Sequence, residues 1–285
     1  LTLTTNPQPD PKQSVFSIGL AAGKLGGDLR VRLVSALVMV TLSLAGVWFG
    51  GLGWALLAAS VMAAIAFEWG RMIASKADDL VPRALIAALC GLCFVLLPPA
   101  FEVIAAFGFF LTLARSPRQY GYLALAGSVY LALSGWALAG LRGQDEAGRA
   151  LMFGLFAIVW STDSMAYVVG RVFGGPKLFP AISPNKTWSG SIGGTFAGIA
   201  AGALYGWLSG GHWIAWAMVG WLLAVTAQAG DFLESLAKRH YGVKDASGVI
   251  PGHGGVLDRL DGHLAAALAF VALLLMTPGL KAMLT

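Results

Sequence analysis

Residues 235–261, SLAKRHYGVKDASGVIPGHGGVLDRLD, gather four cations, three carboxylates and two histidines in a chain that is otherwise mostly hydrocarbon. Charge beside membrane-length apolar runs is costly unless something ionic binds there, and this mixture suits phosphate together with a divalent cation. The helix carrying Asp231 is expected to continue past it, so that Asp231, Glu234 or Ser235, and Lys238 share one face. Lys238, Arg239 and His240 also stand where that helix should end ahead of Gly242, a place where cations compensate the helix dipole or snorkel to water. The run Pro251-Gly252-His253-Gly254-Gly255 has little side chain to pack and offers backbone N–H groups to an anion. Asp258 and Asp261 come next, one turn apart if a helix starts near Leu257. The plain reading makes them dipole-favoured carboxylates at a helix start. With Asp231 arriving from another helix, three hard oxygen donors without thiols read better as ligands for Mg²⁺.

A second polar loop, residues 171–191, contains Ser183-Pro184-Asn185-Lys186-Thr187 directly ahead of an apolar run, a plausible phosphate grip at a helix N-terminus. Gly174-Gly175-Pro176-Lys177 is no Walker A loop, because the spacing and the preceding strand are missing. Asp163 sits inside an apolar run and must face a polar cavity or a hydrogen-bonding helix. Glu68 lies at the end of its run and is expected to reach water.

The elements that would position these residues follow from composition. The chain is 57% hydrophobic and only 12% charged, against roughly 25% in a soluble domain. That makes it a membrane protein. Its formal net charge of +5 does not indicate nucleic acid, because the basic residues are scattered between apolar runs and build no stripe with aromatics. Cys90 and Cys93 lack the partners of a zinc site and read as small packing residues. Residues 1–28 read as a loosely ordered tail, followed by an uncleaved first span.

About 20 apolar helical residues cross a bilayer, and nine runs qualify: 31–49, 52–69, 84–97, 101–114, 122–141, 150–169, 191–208, 213–231 and 264–280. The third and fourth are short and flank Pro98-Pro99, so they form two spans, a re-entrant pair or one kinked span. If that pair contributes an even count of crossings, two or none, all of the 19 Lys and Arg except Arg142, Arg149 and Lys281 fall on one face. Merging the pair into one span removes that bias. The positive-inside rule therefore favours the even count, with the N-terminus and both polar loops in the cytoplasm and the C-terminus outside. The expected fold is an all-α polytopic transmembrane helix bundle of about nine spans, with N-terminal helices over 29–145 and a catalytic region over 146–285. Gly190, Gly194, Gly198, Gly202 and Gly206 recur every four residues, a face for close packing within the chain or for a homodimer.

These residues resemble the phosphatidate cytidylyltransferase (CDP-diacylglycerol synthase) family. Its signature, S-x-x-K-R, four residues, K-D, then P-x-H-G-G-x-x-D-R-x-D, is met by Ser235, Lys238, Arg239, Lys244, Asp245, Pro251, His253, Gly254, Gly255, Asp258, Arg259 and Asp261. Upstream, Asp163, Ala166-Tyr167, Gly170-Arg171, Ser183-Pro184, Lys186-Thr187 and Gly230-Asp231 are similar too. The resemblance is strong over residues 150–265, and the earlier spans match only as hydrophobic helices. Ser189 stands where many members carry Glu, so no role of that Glu transfers to this chain.

The resemblance implies condensation of CTP with phosphatidic acid to CDP-diacylglycerol and pyrophosphate, at the cytoplasmic face of a bacterial inner membrane. It implies catalytic roles for Asp231, Lys238, Arg239, Lys244, Asp245, His253, Asp258, Arg259 and Asp261. Substrate contacts are expected from Asp163, Arg171, Ser183, Asn185, Lys186, Thr187 and Ser235, with one or two Mg²⁺ ions on Asp231, Asp258 and Asp261. His253 is expected either to donate to the leaving group or to shape its loop. A CTP-dependent polyprenol or phytol kinase and a transporter are the rival readings; a transporter would place its charge near mid-bilayer.

Overall fold

A computed structural model describes residues 11–73 and 121–285. In chain order it contains α1 (Pro11–Phe49), α2 (Gly51–Ile73), α3 (Gly121–Arg142), α4 (Glu146–Phe173), a hairpin of β1 (Lys177–Phe179) and β2 (Ser183–Thr187), α5 (Trp188–Ser209), α6 (Trp213–His240), α7 (Leu257–Met276) and a short α8 (Leu280–Leu284). The fold is all-α and polytopic. Proline at the first position of α1 suits a helix start, and helical backbone extends back through residues 11–28, which composition alone assigned to a tail.

Among the described residues six helices are long and apolar enough to cross a bilayer: Leu29–Phe49 within α1, Gly51–Ile73, Tyr122–Arg142, Glu146–Phe173, Trp213–His240 and Leu257–Met276. Helix α5 is not one of the six, although its 22 residues have the length and carry no charged side chain. It nonetheless runs antiparallel between α4 and α6, from Gly190 beside Ala166 to Tyr205, whose hydroxyl donates to the Ala150 carbonyl at 2.6 Å. Seven of the nine expected spans are thus present as helices, and the runs 84–97 and 101–114 lie outside the described residues.

The glycine face of α5 is buried within the chain. A Cβ on Gly198 would lie 2.6 Å from Thr162 Oγ1 and 2.7 Å from Ala224 Cβ, and one on Gly202 would meet the Trp216 carbonyl. Only a side chain of hydrogen lets three backbones approach so closely. A second copy could not reach these glycines without displacing α4 or α6. Apolar residues such as Leu33, Leu37, Trp207, Met218 and Leu275 face outward instead, as expected of a surface solvated by lipid.

The two ends of the bundle differ in character. At one end Arg142 is buried and donates to the carbonyls of Val47, Gly143 and Asp145, while Lys281 pairs with Asp145 at 3.0 Å. Asp145 caps α4 by accepting from Gly148 N–H, and this bond, reinforced by Lys281, holds its carboxyl below the usual range. The other end holds both polar loops. Helix α2 finishes there and α3 begins there, since Trp69 Nε1 donates to Ser128 Oγ at 2.9 Å whereas Trp54, at the far end, bonds Ala139. Ile73 and Gly121 therefore lie on the same face, the condition that an even span count sets.

Candidate active site

The antiparallel run α4–α5–α6–α7 brings the chemical residues to one end of the bundle. Helix α6 continues to His240, well past Asp231, and α7 starts at Leu257, both as the spacing predicts. A cavity of about 860 Å³ opens between them, within the range of small-molecule sites. Among the residues lining it are Asp163, Arg171, Asn185, Lys186 and Thr187, and from the later elements Asp231, Lys238, Asp245, Asp258, Arg259 and Asp261. Asp163 keeps much of its surface accessible because it opens into this cavity, which answers the polar-cavity requirement of an acid inside an apolar run. Ser183, Ser235, Arg239, Lys244 and His253 do not line it.

Two ionic groups organise the walls. Lys238 stands between Glu234 at 2.5 Å and Asp258 at 2.9 Å, with little side-chain exposure in any of the three. Glu234, not Ser235, is therefore the middle member of the α6 face. Across the cavity Lys186 pairs with Asp231 and lies over the Phe232 ring, 4.3 Å from its centroid. Asp261 and Asp163 are within electrostatic range of Asp231 and Lys186, so three carboxylates share this side of the cavity. Among the described residues no three His, Cys, Asp or Glu side chains are arranged to hold an ion by themselves.

The hairpin that carries Lys186 is too short to be stable alone and is tied to α6. Phe179 packs edge-on against Phe232 with ring centroids 5.2 Å apart, and Arg239 Nε donates to the Ile182 carbonyl at 3.4 Å. Arg239 thus clamps the hairpin rather than the cavity. Thr187 is buried and accepts from Gly190 N–H at 3.1 Å, capping α5. Its hydroxyl is committed to the helix start, so the phosphate grip expected there reduces to Lys186 and Asn185. Ser189 donates to the Gly174 carbonyl and secures the turn ahead of the hairpin.

The glycine-rich loop departs from expectation. His253 N–H goes to Ile250 O at 3.0 Å, Gly255 N–H to Asp258 Oδ2 at 2.8 Å, and the N–H groups of Val256 and Leu257 to the Glu68 carboxylate. The His253 and Gly255 amides fold the loop on itself, those of Val256 and Leu257 tie it to α2, and none of the four is offered to an anion. The His253 ring meets Ser35 Oγ at 2.8 Å, which pins the loop to α1. Glu68 also departs from expectation: it is fully buried, not water-facing. Its partners lie about 180 residues away in sequence, so local patterning carried no sign of it.

The model of the cytidylyltransferase family matches residues 30–277. The chain belongs to that family. A phosphatidate cytidylyltransferase of Brucella abortus biovar 1 (strain 9-941) is 38% identical over 255 residues, covering 84% of this chain and 91% of the relative. One from Bacillus subtilis (strain 168) is 37% identical over 148 residues, 51% of this chain and 55% of its own. One from Staphylococcus aureus (strain COL) is 43% identical over 111 residues, 38% and 43% respectively. Gln228, which ties α6 to Thr195 and Ser191 of α5 while lining the cavity, is a wall residue of this cytidylyltransferase that no motif singled out.

Proposed function

We propose that this cytidylyltransferase joins CTP to phosphatidic acid, releasing pyrophosphate and forming CDP-diacylglycerol. The observation that carries the reading is the convergence of Asp231, Lys238, Asp245, Asp258, Arg259 and Asp261, from two helices and a loop, on one cavity. The names of the bacterial relatives support the substrates.

The nucleophile is the lipid's own phosphate, whose second ionisation lies near pH ~6, so at neutral pH it is largely dianionic and needs no general base. It attacks the α-phosphorus of CTP as the bond to pyrophosphate breaks. Two anions must be brought together, and the barrier is lowered by positioning and by fixed charge. Arg171, Lys177, Lys186 and Arg259 line the cavity and provide that charge. Lys238 is already matched by Glu234 and Asp258, so its part is to hold Asp258 in place as much as to meet a phosphate.

A divalent cation fits the donor set: Mg²⁺ takes one or two carboxylates plus substrate phosphates rather than a complete protein cage. Asp231 and Asp261 would hold it, with Asp258 and Asp163 as neighbouring acids, and when bound it would neutralise charge on the triphosphate. We place the site on the cytoplasmic face of the bacterial inner membrane, where CTP is available. The basic residues of the polar-loop end and the bacterial relatives support this.

The test is to incubate purified protein with phosphatidic acid, Mg²⁺ and CTP labelled in its cytosine ring. Stoichiometric pyrophosphate with ring label in the lipid is expected. Release of CDP without ring label in the lipid identifies a lipid kinase and overturns the reading.

A further inference from the structure

Glu68 belongs to α2, in the part of the chain that the family signature does not reach, and its side chain is shut off from solvent. A buried carboxylate is costly unless its oxygens are bonded. Here Oε1 accepts from Ser247 Oγ at 2.5 Å and from Val256 N–H at 2.9 Å, and Oε2 accepts from Leu257 N–H at 2.7 Å. Two of these donors open α7, whose own flanking residue, Val256, supplies no side-chain cap. The cap comes instead from another membrane helix, where the positive end of α7 favours the negative charge. Gly255 makes the approach possible, because a Cβ there would lie 2.8 Å from both Glu68 oxygens.

The same turn of α7 carries Asp258, Arg259 and Asp261 toward the cavity. The third donor, Ser247, adjoins Ala246, whose N–H lies 3.2 Å from both oxygens of Asp258. One carboxylate thus joins α2, the 246–247 segment and the first turn of α7, with Asp258 held from both sides of the junction. We infer that Glu68 is a positioning residue for nucleotidyl transfer, setting the direction in which Asp258, Arg259 and Asp261 face the substrates. It touches no substrate itself. This rests on the function proposed above.

The test compares Glu68→Gln with wild type by hydrogen exchange, thermal unfolding in detergent and pyrophosphate release. Glutamine keeps the shape but turns an NH₂ group toward N–H donors. Exchange should quicken within residues 246–257 while α4–α6 stay protected, and kcat should fall by about 10- to 100-fold, as displacement of reacting groups does. Wild-type exchange and turnover in the variant, or loss of protection spread evenly over all helices, overturns the inference. If Glu68→Gln does not fold, Ser247→Ala removes one bond of the three. It should quicken the same residues and lower kcat several-fold, and an unchanged profile overturns the inference equally. Wild-type protein that releases no pyrophosphate defeats the proposed function, while the exchange measurement still judges whether Glu68 holds the loop.

Discussion

Side chains that look alike in sequence divide, in space, into those that face the cavity and those that hold its walls. Asp231 lines the cavity, paired with Lys186, and removing its charge leaves that lysine without its partner while lowering the negative charge available to a cation. Asp231→Asn is expected to cut pyrophosphate release by at least about 100-fold, the scale of losing one preorganised electrostatic contact. The variant should keep its melting temperature within a few degrees; near-normal turnover with added Mg²⁺ would refute the role. Thr187 should behave in the opposite way. Its hydroxyl caps α5, so Thr187→Ala should cost about 1 kcal/mol of stability with little change in the KM for CTP, and Thr187→Ser should restore the melting temperature. A large KM increase without destabilisation would return Thr187 to the substrate. Sequence could not decide this case, because a hydroxyl ahead of a helix suits a cap and a phosphate contact equally.

Helix boundaries near the site were legible because apolar runs, a terminal cluster of cations and glycine punctuation coincide, as at the end of α6, where Gly242 adopts φ +71°. Partners were less so. The four-residue glycine period announced a close helix contact but not which helices, since periodicity describes one face and says nothing of what covers it. With α4 and α6 now placed on that face, the cost of filling it can be stated. Gly198→Ala gains helix propensity of about 1 kcal/mol, yet its new methyl would press on Thr162 and Ala224. Overpacking of that kind costs about 1–3 kcal/mol, so the net effect should be a lower melting temperature. Gly140, in α3, has nothing within 4 Å of its would-be Cβ, and Gly140→Ala should hold or raise the melting temperature. Equal responses from the two alanines would mean that α5 does not pack as described.

At the scale of the whole molecule, the two ends of the bundle have to face different compartments. Ser35, Glu68 and the hairpin lie at the end with the cavity, whereas Arg142, Asp145, Lys281 and the C-terminal Thr285 lie at the other. The bias of basic residues toward the cavity end, which in the sequence favours two crossings or none from the 84–114 pair, supports the proposal that this end faces the cytoplasm. Charged nucleotides do not cross the bilayer, so a site on the outer face would have no CTP to use. The assignment can be checked without an activity assay. Cys90 and Cys93 are replaced by Ala, and a single cysteine is placed at exposed Val249 in the site loop or at Thr285. In intact bacterial spheroplasts a membrane-impermeant maleimide should label Thr285→Cys but not Val249→Cys, and permeabilisation should expose the second. Labelling of both before permeabilisation would break the two-faced bundle itself, because no rigid arrangement of these helices puts the ends together. The reverse order would keep the bundle and overturn only its orientation, and with it the supply of nucleotide on which the proposed reaction depends.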